Sequence, residues 1–183
     1  MLSLDHNLGG SLEIDGRSVS FDGGRGYIEK DWGTSFPSAW VWLQSNHFSR
    51  PGVSLTASVA SIPIGSWRFP GFIVGLWHDG RLHRFATYDL SHIERLEIGE
   101  TTVSWTLRSR SERLEILATR AEGGLLRGPS KADMGVRVPE TLSAQADVRL
   151  TVLRAGRATT VFQDTGHHAG LEIVGDVQCL VGA

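Results

Sequence analysis

The chain has 183 residues and a formal net charge of −2, with 40% hydrophobic and 21% charged residues. This composition is typical of one folded domain and argues against a disordered chain, and the scattered Lys and Arg residues form no basic stripe that could follow a nucleic-acid backbone. The longest apolar runs are interrupted by Gly, Pro or charge too soon to span a bilayer, so no integral membrane span is expected.

Short runs rich in Val, Ile, Leu, Trp, Phe and Thr, separated by the 22 glycines, predict antiparallel strands joined by tight turns. In chain order, turns are predicted at residues 15–16, 79–80 and 155–157, and three further strands (HIERLEI, TVSWTLR and ERLEILATR) lie between the last two. No segment keeps a 3.6-residue apolar period over four turns. About ten strands in sequential hairpins would leave exposed edges in a flat sheet, so we expect an all-β domain over residues 1–183, curled into a barrel or a sandwich.

The strand predicted at residues 39–48 has one unusual face. Alternation places Trp40, Trp42, Gln44 and Asn46 together on it. The opposite face, which looks like a packing face, carries Val41, Leu43, Ser45 and His47. An unpaired buried amide costs about 1–3 kcal/mol, so the two amides either find partners in the fold or point into a cavity. Aromatic side chains followed by amides are typical of a pocket for a lipophilic molecule with a polar head; ordinary packing is the alternative.

Three carboxylates are candidates for an acid. Glu29 and Asp31 share one face if their segment is extended, although a solvated turn is the alternative and Lys30 between them favours their ionised forms. Glu140 is in register with an apolar face that continues from Leu142 along the even positions. Partial desolvation there would raise the pKa of Glu140, whereas a place at a solvent-exposed rim would not.

Other chemistries find no support in the sequence. The run GGRG at residues 23–26 lacks the strand and helix context of a phosphate loop, and no Gly-x-Ser-x-Gly element occurs. The histidines show no ligand spacing for a metal, and Cys179 lies in an apolar terminal run. Any catalysis is therefore expected to use carboxylates, His47, Tyr27 or Lys30, without metal or cofactor. The single cysteine and the absence of a secretory signal favour a cytoplasmic protein.

Residues 26–48, GYIEKDWGTSFPSAWVWLQSNHF, resemble the central motif of the tocopherol cyclase-like family, in which Glu-Lys-Asp/Asn-Trp-Gly precedes Phe-Pro and a Trp-rich strand ending in Gln-x-Asn-x-Phe. The matching residues are Glu29, Lys30, Trp32, Gly33, Phe36, Pro37, Trp40, Trp42, Gln44, Asn46 and Phe48. A second run, LRGP at residues 126–129, is similar to the family's Leu-Arg-Ala-Pro element, from which Gly128 departs. Residues 71–88 and 156–175 resemble the microbial branch of the family.

The resemblance implies a lipocalin-like antiparallel β-barrel. It also implies closure of a chroman ring on a prenylated quinol, by protonation of the tail alkene and C–O bond formation. Glu29, Asp31 and Glu140 are the candidate acids, although plant-like versions carry Asn in place of Asp31. The substrate-binding candidates are Trp32, Trp40, Trp42, Gln44, Asn46 and Arg127.

Three functions stay open at this point. The first is a cofactor-independent cyclase or isomerase acting on a prenylated lipophilic substrate, and the second is a noncatalytic barrel that binds a lipophilic small molecule. Family members are about twice as long, so this chain is expected to correspond to their C-terminal half. A third reading is therefore a half-domain completed by a missing N-terminal half or by a second copy in a homodimer. Peripheral membrane contact is compatible with all three.

Overall fold

A computed structural model describes residues 1–32, 36–128 and 135–181 of the chain, which form fourteen β-strands. In chain order the strands are β1 (Ser3–Asn7), β2 (Ser11–Ile14), β3 (Arg17–Ser20), β4 (Arg25–Ile28), β5 (Trp40–Ser45), β6 (Ser54–Ile64), β7 (Trp67–His78), β8 (Arg81–Ala86), β9 (His92–Ile98), β10 (Thr102–Arg108), β11 (Glu112–Thr119), β12 (Gly124–Gly128), β13 (Val136–Arg154) and β14 (Arg157–Val174). A single turn of 3-10 helix, Val177–Leu180, follows β14. The all-β prediction is confirmed.

Ten strands form one antiparallel sheet in the order β8-β7-β6-β5-β14-β13-β11-β10-β9, with β12 paired to the start of β13. The predicted turns at residues 15–16, 79–80 and 155–157 are confirmed, because they join β2 to β3, β7 to β8 and β13 to β14. The path of pairings ends at β8 and β9, and within the described residues no ladder joins these two strands. A closed barrel is therefore not seen.

The large sheet coils so that its concave face forms one hydrophobic core. The coiling brings His83 of β8 within 2.9 Å of Glu112 of β11, although five strands separate β8 and β11 in the sheet order. The largest fully buried side chains come from seven of the strands and include Leu43, Leu55, Leu76, Phe85, Trp105, Leu114 and Leu150. Burial of such a side chain stabilises the fold by roughly 1.5–3 kcal/mol, so this inner face carries much of the stability.

Strand β5 contributes the predicted packing face to this core. Val41 and Leu43 are completely buried there, and Ser45 is 1% exposed. On the opposite face of the strand, Trp40, Trp42 and Gln44 are only half-buried. The unusual face of β5 therefore lies on the outer, convex side of the sheet.

The N-terminal residues cover part of this outer side. β1 pairs with β4, and β2 with β3, as two small antiparallel sheets. The carbonyl of Arg25, at the start of β4, accepts a hydrogen bond of 3.2 Å from the Asn46 amide. The Tyr27 hydroxyl lies 3.1 Å from Oγ1 of Thr56 on β6. These contacts hold β4 against the outer face of β5 and β6.

The predicted register of Glu140 with the apolar face of β13 is wrong. Thr141 pairs with Leu171 and Ala144 with Ala169, so β13 has one extra residue there and a β-bulge. The bulge reverses which positions face the core: Thr141 is 6% exposed and Leu142 is 67% exposed. Glu140 consequently lies on the outer side of the sheet.

Among the described residues, no helix has the length and apolar character needed to cross a membrane.

Candidate active site

A row of register partners crosses the outer face of the sheet. Ile73 of β7 lies opposite Ser58 of β6, and Ser58 lies opposite Trp42 of β5. Trp42 lies opposite Glu172 of β14, which in turn lies opposite Glu140 of β13. Directly opposed residues project from the same face of a sheet. The row therefore places two carboxylates beside an indole ring on the side of the sheet away from the core.

A cleft of about 470 Å³ opens over this row. It is lined by Glu29, Asp31, Trp32, Phe36, Pro37, Trp40, Trp42, Ser58, Ala60, Ile73 and Glu172. The sheet supplies the floor, and the segment that follows β4 supplies one wall. Four aromatic rings and three carboxylates thus surround one cleft, which is a rare combination for a plain packing surface.

The indole of Trp42 lies over a glycine. A Cβ atom built on Gly170 of β14 would lie 2.9 Å from Cζ3 of Trp42 and 3.3 Å from its Cη2. These distances are shorter than ordinary carbon–carbon contact, so any larger residue at position 170 would displace the ring. Gly170 is a site residue that sequence reasoning missed, since its role depends on the pairing of β14 with β5.

Two donors converge on Glu29. The Nε1 atom of Trp42 donates a hydrogen bond of 3.0 Å to its Oε2 atom, and the Tyr27 hydroxyl donates to the same oxygen. Burial, followed by the hydrogen bond to Glu29, raises the pKa of the Tyr27 phenol, which therefore stays protonated as a donor. This arrangement makes Glu29 a fixed hydrogen-bond acceptor at one end of the cleft.

Glu172 is the carboxylate that sequence reasoning did not select. Its Oε2 atom accepts a hydrogen bond of 2.7 Å from Nε1 of Trp40. Burial raises the pKa of Glu172; the Trp40 bond opposes this shift, and the negative charges of Glu29 and Asp31 add to it. A signal was present in the sequence, since Glu172 is the one charged residue in the apolar run LEIV at 171–174.

Glu140 is next to Glu172 in the cross-sheet row. Its pKa is also raised, first by burial and then by the charge of Glu172. The predicted direction of the shift and its first cause, desolvation, are therefore found, but at a different place: the neighbours of Glu140 are Glu172 and the strand β12, not the core face of β13. Glu140 lines a separate, smaller cleft of about 230 Å³ beside Leu125 and Pro139.

The two amides behave differently. Asn46 donates to the carbonyl of Arg25 on β4, so it has found a partner in the fold. The Nε2 atom of Gln44 is buried, and among the described residues it has no hydrogen-bond partner. Gln44 is opposite Thr56, the residue that Tyr27 contacts. An unused donor is thus held close to the Glu29 end of the cleft.

The remaining predicted residues are dispersed. Asp31 and Trp32 line the cleft and are exposed, Trp32 to 80%. The Lys30 ammonium lies over the Trp32 ring, 5.6 Å from its centroid. Arg127 is exposed on β12, opposite Arg137, and the structure does not bring it to the cleft. Gly33 and Pro129, which belong to the two motifs, lie outside the described residues. Within the described part of the chain, no three His, Cys, Asp or Glu side chains are grouped as metal ligands would be.

Comparison with known proteins agrees with these motifs. The model of the tocopherol cyclase-like family matches residues 4–175. A probable chloroplastic tocopherol cyclase of Oryza sativa subsp. japonica is 27% identical over 185 residues, which cover 91% of this chain and 37% of the relative. A chloroplastic tocopherol cyclase of Zea mays is 28% identical over 187 residues, which cover 91% of this chain and 36% of the relative.

The chain therefore spans little more than a third of the length of these curated relatives. No solved structure gives a significant match. The family model, in contrast, extends over almost the whole chain, including every strand that contributes to the cleft. The chain belongs to the tocopherol cyclase-like family.

Proposed function

We propose that the chain catalyses a cofactor-independent ring closure on a prenylated, quinol-like substrate, with the cleft over β5 as the active site. The observation that carries this proposal is the arrangement of two indoles, Trp40 and Trp42, each hydrogen-bonded to a different carboxylate that lines the same cleft. An acid beside aromatic faces is what protonation of an alkene requires, because the reaction passes through a carbocation.

Glu172 is the proposed proton donor. Its raised pKa favours the neutral acid, and one of its oxygens is held by Trp40. The proton of the carboxylic acid adds to one carbon of the alkene in the tail, which leaves Glu172 ionised and a tertiary cation on the neighbouring carbon. The faces of Trp40 and Trp42 stabilise that cation through cation–π attraction.

Ring closure follows when the phenolic oxygen of the substrate forms a C–O bond to the cation. The proton released from that oxygen passes to Glu29, whose Oε2 atom already accepts hydrogen bonds. Exchange with solvent returns Glu29 to its ionised form and Glu172 to its neutral form. Substrate and product have the same composition, so the step needs no oxidant, reductant or cofactor.

The sequence predicts Glu29, Asp31 and Glu140 as candidate acids, and the geometry favours a different role for Glu29. Glu29 is better placed as an acceptor near the polar head of the substrate. Asp31 is exposed at the cleft. Glu140 lines a separate cleft, and its own pKa is raised by burial and by the charge of Glu172.

A second candidate function is binding without turnover. The buried Nε2 atom of Gln44, which has no hydrogen-bond partner within residues 1–32, 36–128 and 135–181, favours it, because a ligand with a polar head that reached this donor would gain affinity from it. A lipocalin-like barrel belongs to the same proposal, and the contact of β8 with β11 supports it. A missing N-terminal half or a second copy, and a cytoplasmic location, stay predictions; the names of the relatives place those proteins in chloroplasts.

The test is turnover of a prenylated hydroquinone in D₂O by the purified chain. Ring closure by alkene protonation predicts a product with one new carbon-bound deuterium, detected by mass spectrometry. Glu172→Gln keeps an oxygen for the Trp40 bond and removes the acid, so turnover should fall by at least about a hundredfold, the lower end of what general acid catalysis contributes.

Glu97→Gln is the matched control, because Glu97 is an exposed carboxylate on β9 that pairs with Arg95 far from the cleft. It should leave turnover unchanged. Native mass spectrometry of the same samples separates the two functions. A captured quinol without product supports binding alone, and full turnover by Glu172→Gln would refute the assigned acid.

A further inference from the structure

The hairpin of β6 and β7 carries an unusual exposed tip. Ile64 and Trp67, which flank its two-residue turn, are 62% and 80% exposed. Between Ser54 and Trp77 the hairpin contains one charged side chain, Arg68, next to the tip. Strands that end in solvent usually carry several polar or charged residues, and a large exposed indole beside an isoleucine is a typical sign of an interaction surface.

An apolar track joins this tip to the cleft. Ile62 lies opposite Phe69, and this is the next pair on the outer face inward from Ile64 and Trp67. The next pair is Ala60 and Gly71, and Ala60 already lines the cleft. From Ala60 to Ile64 the strand rises about 13 Å. A continuous strip of apolar side chains therefore leads from the cleft to the end of the hairpin.

The track is packed as a smooth surface. A Cβ atom built on Gly71 would lie 2.6 Å from Cγ1 of Ile62, so Ile62 lies across the glycine and fills the strip. The Arg68 guanidinium donates a hydrogen bond of 2.7 Å to Oγ of Ser38, which ties the hairpin to the segment before β5. Phe36 of that segment packs on Trp40 at 6.4 Å between ring centroids, so contacts connect the tip to the wall of the cleft.

We propose that the tip of this hairpin docks on a lipid bilayer, with Ile64 and Trp67 inserted at the interface, and that the track conducts lipophilic molecules between the bilayer and the cleft. Trp is favoured at the boundary of headgroups and acyl chains, where its ring is amphipathic. A cation beside the apolar tip, Arg68, suits the headgroup level.

The shape of the tip favours a bilayer over another protein. A stable protein interface buries roughly 800 Å² on each partner, and a two-residue turn with two apolar side chains offers far less. Shallow insertion needs only a few apolar side chains at one point. A second exposed apolar hairpin, β2–β3, lies toward the Asn46 end of β5, whereas Ile64 and Trp67 lie beyond the Trp40 end.

The experiment is co-sedimentation of the purified chain with phosphatidylcholine vesicles, in the absence of any quinol. The test variant is Ile64→Ser/Trp67→Ser. The matched control is Leu12→Ser/Ile14→Ser on the β2–β3 hairpin, where the side chains are 59% and 48% exposed. Thermal unfolding followed by circular dichroism checks that both variants are folded, which is expected because all four side chains are exposed.

The unaltered chain should bind the vesicles, and the tip variant should bind at least about tenfold more weakly because two large apolar side chains are lost from the interface. The control should stay within about twofold of the unaltered chain. Equal losses in both variants, or no binding of the unaltered chain to the phosphatidylcholine vesicles, would each overturn the proposal.

The main alternative is that the tip contacts a second copy of the chain, and size-exclusion chromatography of the same proteins without lipid tests it. Dimers that disappear in the tip variant would assign the tip to a second copy of the chain and overturn docking on a bilayer. Vesicle binding is measured without turnover, so the result does not depend on the proposed cyclisation. Conversely, a chain that fails to bind vesicles would still cyclise a detergent-dispersed quinol.

Discussion

Substitution of Gly170 by alanine tests whether the Trp42 ring forms a ligand-binding wall. The added methyl group would be 2.9 Å from Cζ3 of Trp42, closer than carbon atoms approach without strain. Overpacking of this kind costs roughly 1–3 kcal/mol, and the low end applies because the ring can swing toward the open cleft. A loss of about 1 kcal/mol lowers the melting temperature by roughly 2–4 °C in a domain of this size. The displaced indole would occupy the cleft, so affinity for a prenylated quinol should fall about tenfold or more.

Gly166→Ala is the control on the same strand. A Cβ atom there would lie 2.9 Å from Cζ of Phe48 and 3.1 Å from Cβ of Ser45, on the core side of the sheet. It should lower the melting temperature at least as much as Gly170→Ala, while affinity stays within about twofold of the unaltered protein. Titration with a prenylated quinol, followed by native mass spectrometry, measures the affinity of each variant. Unchanged affinity in Gly170→Ala, together with a fall in melting temperature, would show that Trp42 is simply packed against the sheet.

Two further predictions concern the carboxylates. Glu172→Gln should stabilise the fold at neutral pH. The pKa of Glu172 is raised in the folded state, so the stability contributed by the neutral acid is present below pH 4.5 and is lost as the pH rises through the folded-state pKa. Glutamine stays neutral at every pH and does not lose this contribution. Urea unfolding at pH 4 and pH 7 measures this, and an equal effect at both values would contradict it. Tyr27→Phe should destabilise by about 1.5–3 kcal/mol because Glu29 loses a charge-assisted hydrogen bond. An unchanged urea midpoint would show that water replaces the phenol.

Much of the fold could be predicted because turns and alternation are local properties. Glycines at residues 16, 80 and 156 all have positive φ angles, which a side chain disfavours, and each one turns a hairpin. Val41 and Leu43 could be assigned to the core from alternation alone. The curvature of the sheet is different, since it depends on contacts such as that of His83 with Glu112 between distant strands. Whether the sheet closes therefore could not be derived from the sequence.

The candidate site was half predictable for the same reason. Glu29, Trp40 and Trp42 occupy one short segment, so their grouping is a local property. Glu172 joins them only through the pairing of β14 with β5, across 132 residues of sequence from Trp40. Glu140 was placed on the wrong face because a bulge at Thr141–Ala144 is invisible to a two-residue period. The signal for Glu172 is a single charged residue in an apolar run. It identifies a site residue only once the register of β14 against β5 is known.

The position of the cleft follows from how the sheet distributes its side chains. Because the concave face is filled by the core, a pocket of useful size has room only on the outer face, which on a bare sheet would be open to water. The segment after β4 changes this, since Glu29, Trp32 and Phe36 form a wall over β5 and reduce the contact of Glu172 with solvent. Two parts of the chain thus contribute to the raised pKa of Glu172: β14 carries the half-buried carboxyl group, and the N-terminal segment adds the negative charges of Glu29 and Asp31. Catalysis by this acid, as proposed, would depend on that cover as much as on the acid itself.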